Sequence, residues 1–259
     1  MPERRLRVVG IGAGHPDQLT VEAVQALRTV DYALAPSKRS GDPLVAAREL
    51  LVSRHAPGLE LVTVDDPERD RSVAATESDA DYAHVVGDWH DARAAAFEQV
   101  LRERPGDVAL LVWGDPAFYD STIRVVRKIL DRGVVTFDGD VVPGISALQL
   151  LAARHRIVLH EVGQPLLITT QRRLDDAVAS GADNVLVMLT REVPLAGLDD
   201  WFLWWGANLG TPSERLVSGR VADVRTEVVE ARRAAKGQSG WVMDVHLLQR
   251  SGPTERSHK

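Results

Sequence analysis

The segment "DVALLVWGDPAFYDSTIRV", residues 107–125, holds the pattern on which the fold assignment depends. An apolar run typical of a buried strand leads into a four-residue turn, Gly114 to Ala117, and a helical pattern follows the turn directly. In sheets built from such units, small molecules bind at the carboxyl ends of the strands. The segment therefore predicts a binding turn, and the rest of the sequence must indicate which molecule binds there.

The remainder of the chain alternates between strand and helix patterns in the same way. The first such pair is the strand-like run at 6–12 and the helical pattern at 20–30. This βαβ order predicts a mostly parallel sheet with binding sites along one edge. A helical pattern at 146–154 then precedes four further strand-like runs, "PLLITT", "NVLVMLT", "ERLVSGRV" and "GWVMDVHLLQR". They predict a second sheet, which we expect to be mixed.

These patterns place the chain in the α/β class with two domains. We expect an N-terminal α/β domain over residues 1–141 and a C-terminal α/β domain over residues 142–250. Residues 251–259 are polar and predict a disordered tail. The chain has 259 residues, of which 44% are hydrophobic, and this is sufficient for a separate core in each domain.

Composition narrows the classes of partner. The net charge of −6 creates no overall basic field, so we expect neither nucleic acid nor an anionic membrane surface as a partner. The absence of cysteine removes disulfides, thiolate nucleophiles and cysteine-based zinc sites, and we expect no metal. The N-terminus lacks a small-residue cleavage site, and no uncharged apolar stretch has transmembrane length. These features predict a cytoplasmic protein.

The glycine cluster "VGIGAGHPDQLT", residues 9–20, does not fit the dinucleotide-binding fingerprint. Gly10, Gly12 and Gly14 form G-x-G-x-G, and His15 stands where the third glycine of the fingerprint is required. The helical pattern also begins only after Thr20, too far away to bring helix amides beside the glycines. The cluster therefore predicts a tight turn with positive φ, and it weakens the alternative of a nucleotide-binding oxidoreductase.

Five blocks, in this order, resemble the tetrapyrrole methylase superfamily: "VGIGAGHPDQLTVEAVQALRTVDYAL", "WGDPAFYDS", "VVPGISALQLLAARHRI", "VLVML" and "LGTPSERLVSG". The resemblance implies two α/β domains with S-adenosylmethionine (SAM) in the cleft between them, methyl transfer to a tetrapyrrole, and a homodimer. Five blocks are similar to one branch of this superfamily: "DDPERDR", "GDWHDARAAAF", "FDGDVVPGISALQLLAARHRI", "LITTQRRL" and "GWVMDVHLLQR". Members of that branch act in cobalamin biosynthesis, where they methylate carbon 1 of precorrin-5, an anionic tetrapyrrole, and release acetate.

Methyl transfer from a sulfonium requires alignment of carbon, methyl and sulfur more than it requires acids or bases, so turns and small residues suit a SAM site. The resemblance implies eight SAM contacts: Trp113, Gly114, Asp115 and Phe118 beside the nucleoside and methionine, Ser146 and Ala147 at a helix start, and Met188 and Leu209 over the adenine. Three of them also have an ordinary structural explanation, and for Ser146 it is a helix N-cap, which is compatible with binding. Asp115 is suited to stabilising its own turn, and Met188 to a core position.

Substrate carboxylates require cations, and planar guanidinium groups suit carboxylates best. Candidate substrate-binding residues are Lys38, Arg69, Arg71, His90, Arg93 and Tyr119. The βα order places the loop after "LELVTV" at the same sheet edge as the turn at Gly114. The alternative for the arginines is a solvated surface with exposed ion pairs to residues such as Asp66, worth at most about 1 kcal/mol each.

Release of an acetyl group requires a base for the attacking water, and His15, Asp17 and His90 are the candidates. Three other functions remain open at this point. The first is a methylase of the same superfamily that acts at another precorrin position, on a modified histidine or on ribosomal RNA. The second is the oxidoreductase considered above, and the third is a binding module without catalytic activity.

Overall fold

The computed structural model describes residues 4–38, 41–68, 79–193 and 195–250, and for residues 79–82 it describes the backbone alone. The chain divides into two compact units. Unit 1 extends to Ile145, except for Ala13–His15, which belong with the later residues to unit 2. The tail that the sequence predicts to be disordered, 251–259, lies outside the described residues. None of the helices in the described ranges is long and apolar enough to cross a membrane.

Unit 1 contains a five-stranded sheet in which every neighbouring pair is parallel. Its strands are β1 (Arg5–Gly10), β2 (Tyr32–Ser37), β3 (Glu60–Asp65), β4 (Val108–Val112) and β5 (Asp138–Val142), in the spatial order β3-β2-β4-β1-β5. All five residues of β4 are buried, as expected for a central parallel strand that is covered on both faces. The predicted parallel sheet is confirmed.

Two pairs of helices cover the two faces of this sheet. The helices are α1 (Val21–Leu27), α2 (Pro43–His55), α3 (Asp79–Glu103) and α4 (Thr122–Arg132). α1 and α2 share one core cluster with the sheet, and α3 and α4 share the other. The segments that follow the neighbouring strands β1 and β4 therefore leave for opposite faces. Such divergence opens a crevice at the carboxyl ends of the strands, where ligands of open α/β sheets bind.

Unit 2 contains a mixed sheet, as the sequence predicts. Its strands are β6 (Leu167–Thr170), β7 (Asn184–Met188), β8 (Phe202–Ala207), β9 (Arg215–Arg220) and β10 (Asp244–Gln249), and its helices are α5 (Ala147–His155), α6 (Leu174–Ala179) and α7 (Val221–Ser239). The spatial order is β6-β7-β10-β8-β9. β6 and β7 are parallel, and the other three pairs are antiparallel.

The tryptophan-rich stretch forms β8, a strand that the sequence patterns did not predict. Leu203, Trp204 and Trp205 are all buried, so the stretch lacks the alternation of polar and apolar residues that marks a half-exposed strand. Trp205 packs in a cluster with residues of α7. On the opposite face, a Cβ placed on Gly206 would lie 3.1 Å from the Leu151 side chain of α5. The indole groups thus belong to the core of unit 2.

His246 is an ionisable side chain in the middle of this core. It is fully buried on β10, between Val187 of β7 and Trp205 of β8. Neither ring nitrogen has a hydrogen-bond partner among the described residues. Burial lowers the pKa of His246 from 6.5 to about 4, and the opposing effect of the Asp244 carboxylate is smaller. The imidazole is therefore neutral at physiological pH.

We predict that acid destabilises the folded chain through His246. The unfolded chain takes up this proton near pH 6.5 and the folded chain only near pH 4, so the free energy of unfolding falls as the pH drops through that interval. The expected loss between pH 7 and pH 5 is about 2 kcal/mol. Urea unfolding at both pH values measures it. His246→Leu should reduce this pH dependence, whereas His160→Leu, at an exposed histidine, should not. Equal pH dependence in wild type and His246→Leu would contradict the prediction.

Candidate active site

Three glycine backbones meet at the carboxyl ends of β1, β4 and β5. A Cβ on Gly144 would lie 2.1 Å from the carbonyl oxygen of Gly114, and a Cβ on Gly10 would lie 2.5 Å from the amide nitrogen of Gly144. Real Cβ atoms do not approach other atoms so closely. Residues 10 and 144 must therefore be glycine for the three backbone segments to approach each other so closely.

The predicted binding turn is also hydrogen bonded to the glycine cluster. The amide of Gly114 donates to the carbonyl of Gly12 at 2.8 Å, and the amide of Gly12 donates to the carbonyl of Gly114 at 3.2 Å. Both residues have positive φ, +75° for Gly12 and +73° for Gly114. The tight turn with positive φ predicted for the glycine cluster is thus confirmed. The two turns after β1 and β4 form one hydrogen-bonded unit.

The carboxylate of Asp115 holds these backbone segments together through two hydrogen bonds. Oδ1 accepts a hydrogen bond from the amide of Ala117 at 2.8 Å, and Oδ2 accepts one from the amide of Gly144 at 2.9 Å. One side chain thereby closes the turn after β4 and ties it to the segment after β5. The turn-stabilising role considered for Asp115 is present in the structure, and its contact with SAM remains a prediction.

Backbone strain coincides with the predicted SAM contacts. Within the described ranges, four non-glycine residues have positive φ, and three of them adjoin a predicted contact: Tyr119 follows Phe118, Leu189 follows Met188, and Asn208 precedes Leu209. The fourth, Arg156, ends α5. Such conformations cost about 1–3 kcal/mol each and persist mainly at functional sites. The strain thus supports the predicted contact segments in each unit.

The predicted contacts in unit 2 lie at element ends. Ser146 caps α5: its hydroxyl accepts from the amide of Gln149, and its own amide donates to the Gln149 side chain at 2.8 Å. Ala147 is the first residue of α5, and Met188 is the last residue of β7. A Cβ on Gly14 would lie 3.1 Å from the carbonyl oxygen of Leu209, so part of the glycine cluster packs against the predicted adenine segment.

A buried carboxylate orders the chain after Met188. Asp244 of β10 accepts hydrogen bonds from Trp205 Nε1 and Arg232 Nε, both at 3.1 Å, and from the Thr190 hydroxyl. Arg232 also donates to the carbonyl of Thr190 at 3.3 Å. The sequence did not reveal this network because its members come from separate strands, a helix and a loop.

Unit 1 contains a cavity of about 530 Å³ at the carboxyl ends of β2 and β3. It is lined by Pro36, Lys38, Asp42, Leu44, Arg48, Asp66, Pro67, Glu68, Trp89 and Arg93. It forms where the chain leaves β2 for α2 on one face and leaves β3 for α3 on the other. Two predicted substrate-binding residues, Lys38 and Arg93, therefore line one cavity. Arg48, a third cation of its lining, was not predicted.

Arg93 is held in place by neighbours within unit 1. Its Nε lies 3.0 Å from Oδ1 of Asp66, and its Nη1 donates to the Ser121 hydroxyl at 2.9 Å. The guanidinium carbon lies 5.0 Å from the centre of the Trp89 ring and 5.7 Å from that of Phe97. Asp66 was a partner considered for the exposed ion pairs, and the pair that forms is buried.

The other predicted residues occupy different environments. His90 is buried, with its ring centre 5.2 Å from that of Trp89. Tyr119 is 43% exposed, and its partial burial raises the pKa of its hydroxyl. His15 and Asp17 are exposed, and Asp17 forms an ion pair with Arg54. Two more predicted substrate residues, Arg69 and Arg71, lie outside the described residues.

The fold and the site define a two-domain α/β protein with a hydrogen-bonded glycine–aspartate turn at the carboxyl edge of a parallel sheet. The chain belongs to the Tetrapyrrole (Corrin/Porphyrin) Methylases, whose family model matches residues 5–225. It is 39% identical over 253 residues, 95% of both chains, to a precorrin-6A synthase [deacetylating] from Sinorhizobium sp. These similarities confirm the resemblance predicted from the sequence blocks.

Solved structures agree with this assignment. A cobalamin-synthesis-related protein from Corynebacterium diphtheriae is 34% identical, with a TM-score of 0.80 over 95% of this chain and 99% of that chain. A cobalt precorrin-4 methyltransferase is 17% identical, with a TM-score of 0.59 over 95% of this chain and 94% of that chain, and it supports the fold alone. The predicted two-domain α/β fold of this family is thus confirmed.

We predict that Gly114→Ala weakens SAM binding, whereas its cost to folding is only that of placing a non-glycine residue at positive φ. A Cβ on Gly114 meets no protein atom within 4 Å, so the substitution removes only the freedom to adopt φ of +73°, which costs about 1–2 kcal/mol. If the ligand approaches the turn closely, the added methyl group should raise the SAM dissociation constant at least about tenfold.

Gly133→Ala is the matched control for this prediction. Gly133 ends α4 with φ of +66° and also has open space around a Cβ, so the backbone penalty is the same. Calorimetric titration with SAM and urea unfolding of both variants separate binding from stability. Similar SAM affinities in the two variants would exclude close approach of SAM to this turn.

Proposed function

We propose that the chain is a SAM-dependent C-methyltransferase of cobalamin biosynthesis that methylates carbon 1 of precorrin-5 and releases acetate, giving precorrin-6A. The observation that carries this proposal is the 39% identity, over 95% of both chains, to an enzyme named precorrin-6A synthase [deacetylating]. The positions of the predicted contacts add support, because they lie at strand and helix ends beside strained or glycine backbone.

The residues of this chain suit SAM as the cofactor. Bound SAM supplies an activated methyl group on a positively charged sulfur, and the reduced tetrapyrrole supplies the nucleophilic carbon. The remaining requirement is to hold the two reactants in line. The space beside Gly114 leaves room for close approach, and the two hydrogen bonds of Asp115 fix the shape of the turn. Rigid backbone of this kind aligns reactants without a protein nucleophile.

Membership of the methylase family removes the oxidoreductase alternative. A methylase acting at another precorrin position, or on a different substrate, is the alternative that the test must exclude. A homodimer and a cytoplasmic location stay predictions from the sequence, and sedimentation of the purified protein tests the first.

The test is turnover of precorrin-5 by the purified chain in the presence of SAM. Mass spectrometry of the product should show one added methyl group and loss of the acetyl group, and an acetate assay should show release in equal amount. Mass spectrometry of the protein as purified should also detect SAM or S-adenosylhomocysteine. Methylation of precorrin-2 or precorrin-4 in place of precorrin-5 would reassign the substrate, and an absence of SAM binding would overturn the proposal.

The two chemical steps can be separated with variants of the three candidate bases. If one of them activates the water that attacks the acetyl group, its replacement should slow acetate release and leave methyl transfer intact. The variants are His15→Ala, Asp17→Asn and His90→Ala, with His160→Ala as an exposed control. Single-turnover measurements of both products make the comparison. If methyl transfer and acetate release change in parallel in every variant, the macrocycle loses its acetyl group without a base from this set.

A further inference from the structure

The cavity of unit 1 contains a buried cation that has no ion-pair partner among the residues that the structure describes. Arg48, on α2, is 7% exposed. Its Nη1 donates to the carbonyl of Leu44 at 3.1 Å, whereas its Nε has no acceptor among the described residues. No carboxylate in the described part of the chain lies within 4.0 Å of its guanidinium nitrogens. A buried guanidinium group with an unsatisfied donor is energetically unfavourable unless a ligand supplies the missing acceptor.

The acidic residues of the cavity are engaged elsewhere. Asp42 caps α2, accepting from the amide of Leu44 at 2.9 Å and from the amide of Lys38 at 3.2 Å. Asp66 pairs with Arg93 at 3.0 Å. Glu68 is exposed. Two buried guanidinium groups thus line one cavity. Among the described residues, Arg93 lies at ion-pair distance from a carboxylate, and Arg48 does not.

Arg48 remains a cation at neutral pH in this environment. Burial lowers its pKa from 12.5 to about 10, and the charges of Asp42, Asp120 and Asp66 partly offset that effect. The guanidinium carbon also lies 5.8 Å from the centre of the Trp113 ring, the residue directly before the binding turn. The contact with Trp113 constrains the orientation of the guanidinium group, and Arg48 is also among the residues that line the cavity.

We propose that Arg48 binds one acetate or propionate carboxylate of the tetrapyrrole substrate within this cavity. The cavity volume of about 530 Å³ is within the range of small-molecule sites, about 300–1,000 Å³. A carboxylate accepts two hydrogen bonds from a guanidinium fork, which supplies the acceptor that Nε lacks. Trp89 offers an aromatic wall for the apolar part of the substituent. This assignment rests on the proposed function, and it identifies the part of unit 1 that recognises the substrate.

The test compares Arg48→Met with wild type in equilibrium binding of precorrin-5 and of SAM. Methionine keeps much of the volume and removes the charge, so the fold should be retained, because replacing a buried uncompensated charge with an apolar group does not weaken a core. The dissociation constant for precorrin-5 should rise about 10- to 100-fold, as expected for a lost charge-assisted pair. The dissociation constant for SAM should stay within about twofold of wild type.

Two further variants keep the test decisive. Arg102→Met removes an exposed arginine of α3 and should leave both affinities unchanged. Arg48→Lys retains a positive charge and loses the planar fork, so its affinity for precorrin-5 should fall between wild type and Arg48→Met. If Arg48→Met does not fold, Arg48→Lys decides the question by the same measurement.

The outcomes also separate this inference from the proposed function. If the Arg48 variants bind precorrin-5 with wild-type affinity and retain turnover, the role of Arg48 is overturned. The proposed function is unaffected by that result. Parallel loss of SAM and precorrin-5 affinity indicates general damage and also overturns it. A wild-type chain that binds SAM without binding precorrin-5 overturns the proposed substrate, and the inference with it.

Discussion

The close approach of Gly10, Gly114 and Gly144 is the constraint on which the candidate site depends. The carbonyl of Gly114 occupies the space that a Cβ on Gly144 would require, and the backbone of Gly144 occupies the space that a Cβ on Gly10 would require. Because β1, β4 and β5 are adjacent and parallel, their carboxyl ends must come together at this point. Asp115 then holds these segments together by accepting hydrogen bonds from two backbone amides. The turn after β4 is therefore hydrogen bonded to the segments that follow both neighbouring strands.

Buried polar groups divide into those that the fold satisfies and those that it leaves incomplete. Asp244 receives three donors and orders the chain beyond β7, and Arg93 pairs with Asp66 between α3 and the end of β3. His246 tolerates burial by staying neutral. Arg48 cannot become neutral at physiological pH, because a pKa of about 10 keeps it charged. Because of this difference, we infer a bound ligand from the buried charge of Arg48, and an effect on the stability of the fold from the buried, neutral His246.

Local pattern predicted the sheet of unit 1 well, because each of its buried strands is a short apolar run next to an amphipathic or capped helix. Prediction was weaker in unit 2. β8 was missed because a strand buried on both faces has no alternation. α7 was missed although its buried residues Val221, Val224, Val228 and Ala235 recur at helical spacing. The eight SAM contacts are predictions that were inferred from the resemblance of sequence blocks to the tetrapyrrole methylase superfamily. Their placement at element ends, with strained backbone beside Phe118, Met188 and Leu209, is an independent structural observation.

The sequence by itself determined the α/β class, the parallel sheet, the position of the turn after β4 and the family, because these depend on periodicity and on ordered blocks along the chain. Only the tertiary structure decided which charged side chains are buried and which of them have partners. Arg48 and Arg93 are both arginines in helical patterns, and nothing local distinguishes them from solvated residues. The pairing of Arg93 with Asp66, and the lack of such a pair for Arg48 among the described residues, depend on how segments distant in sequence come together. Periodicity contains no information about such contacts.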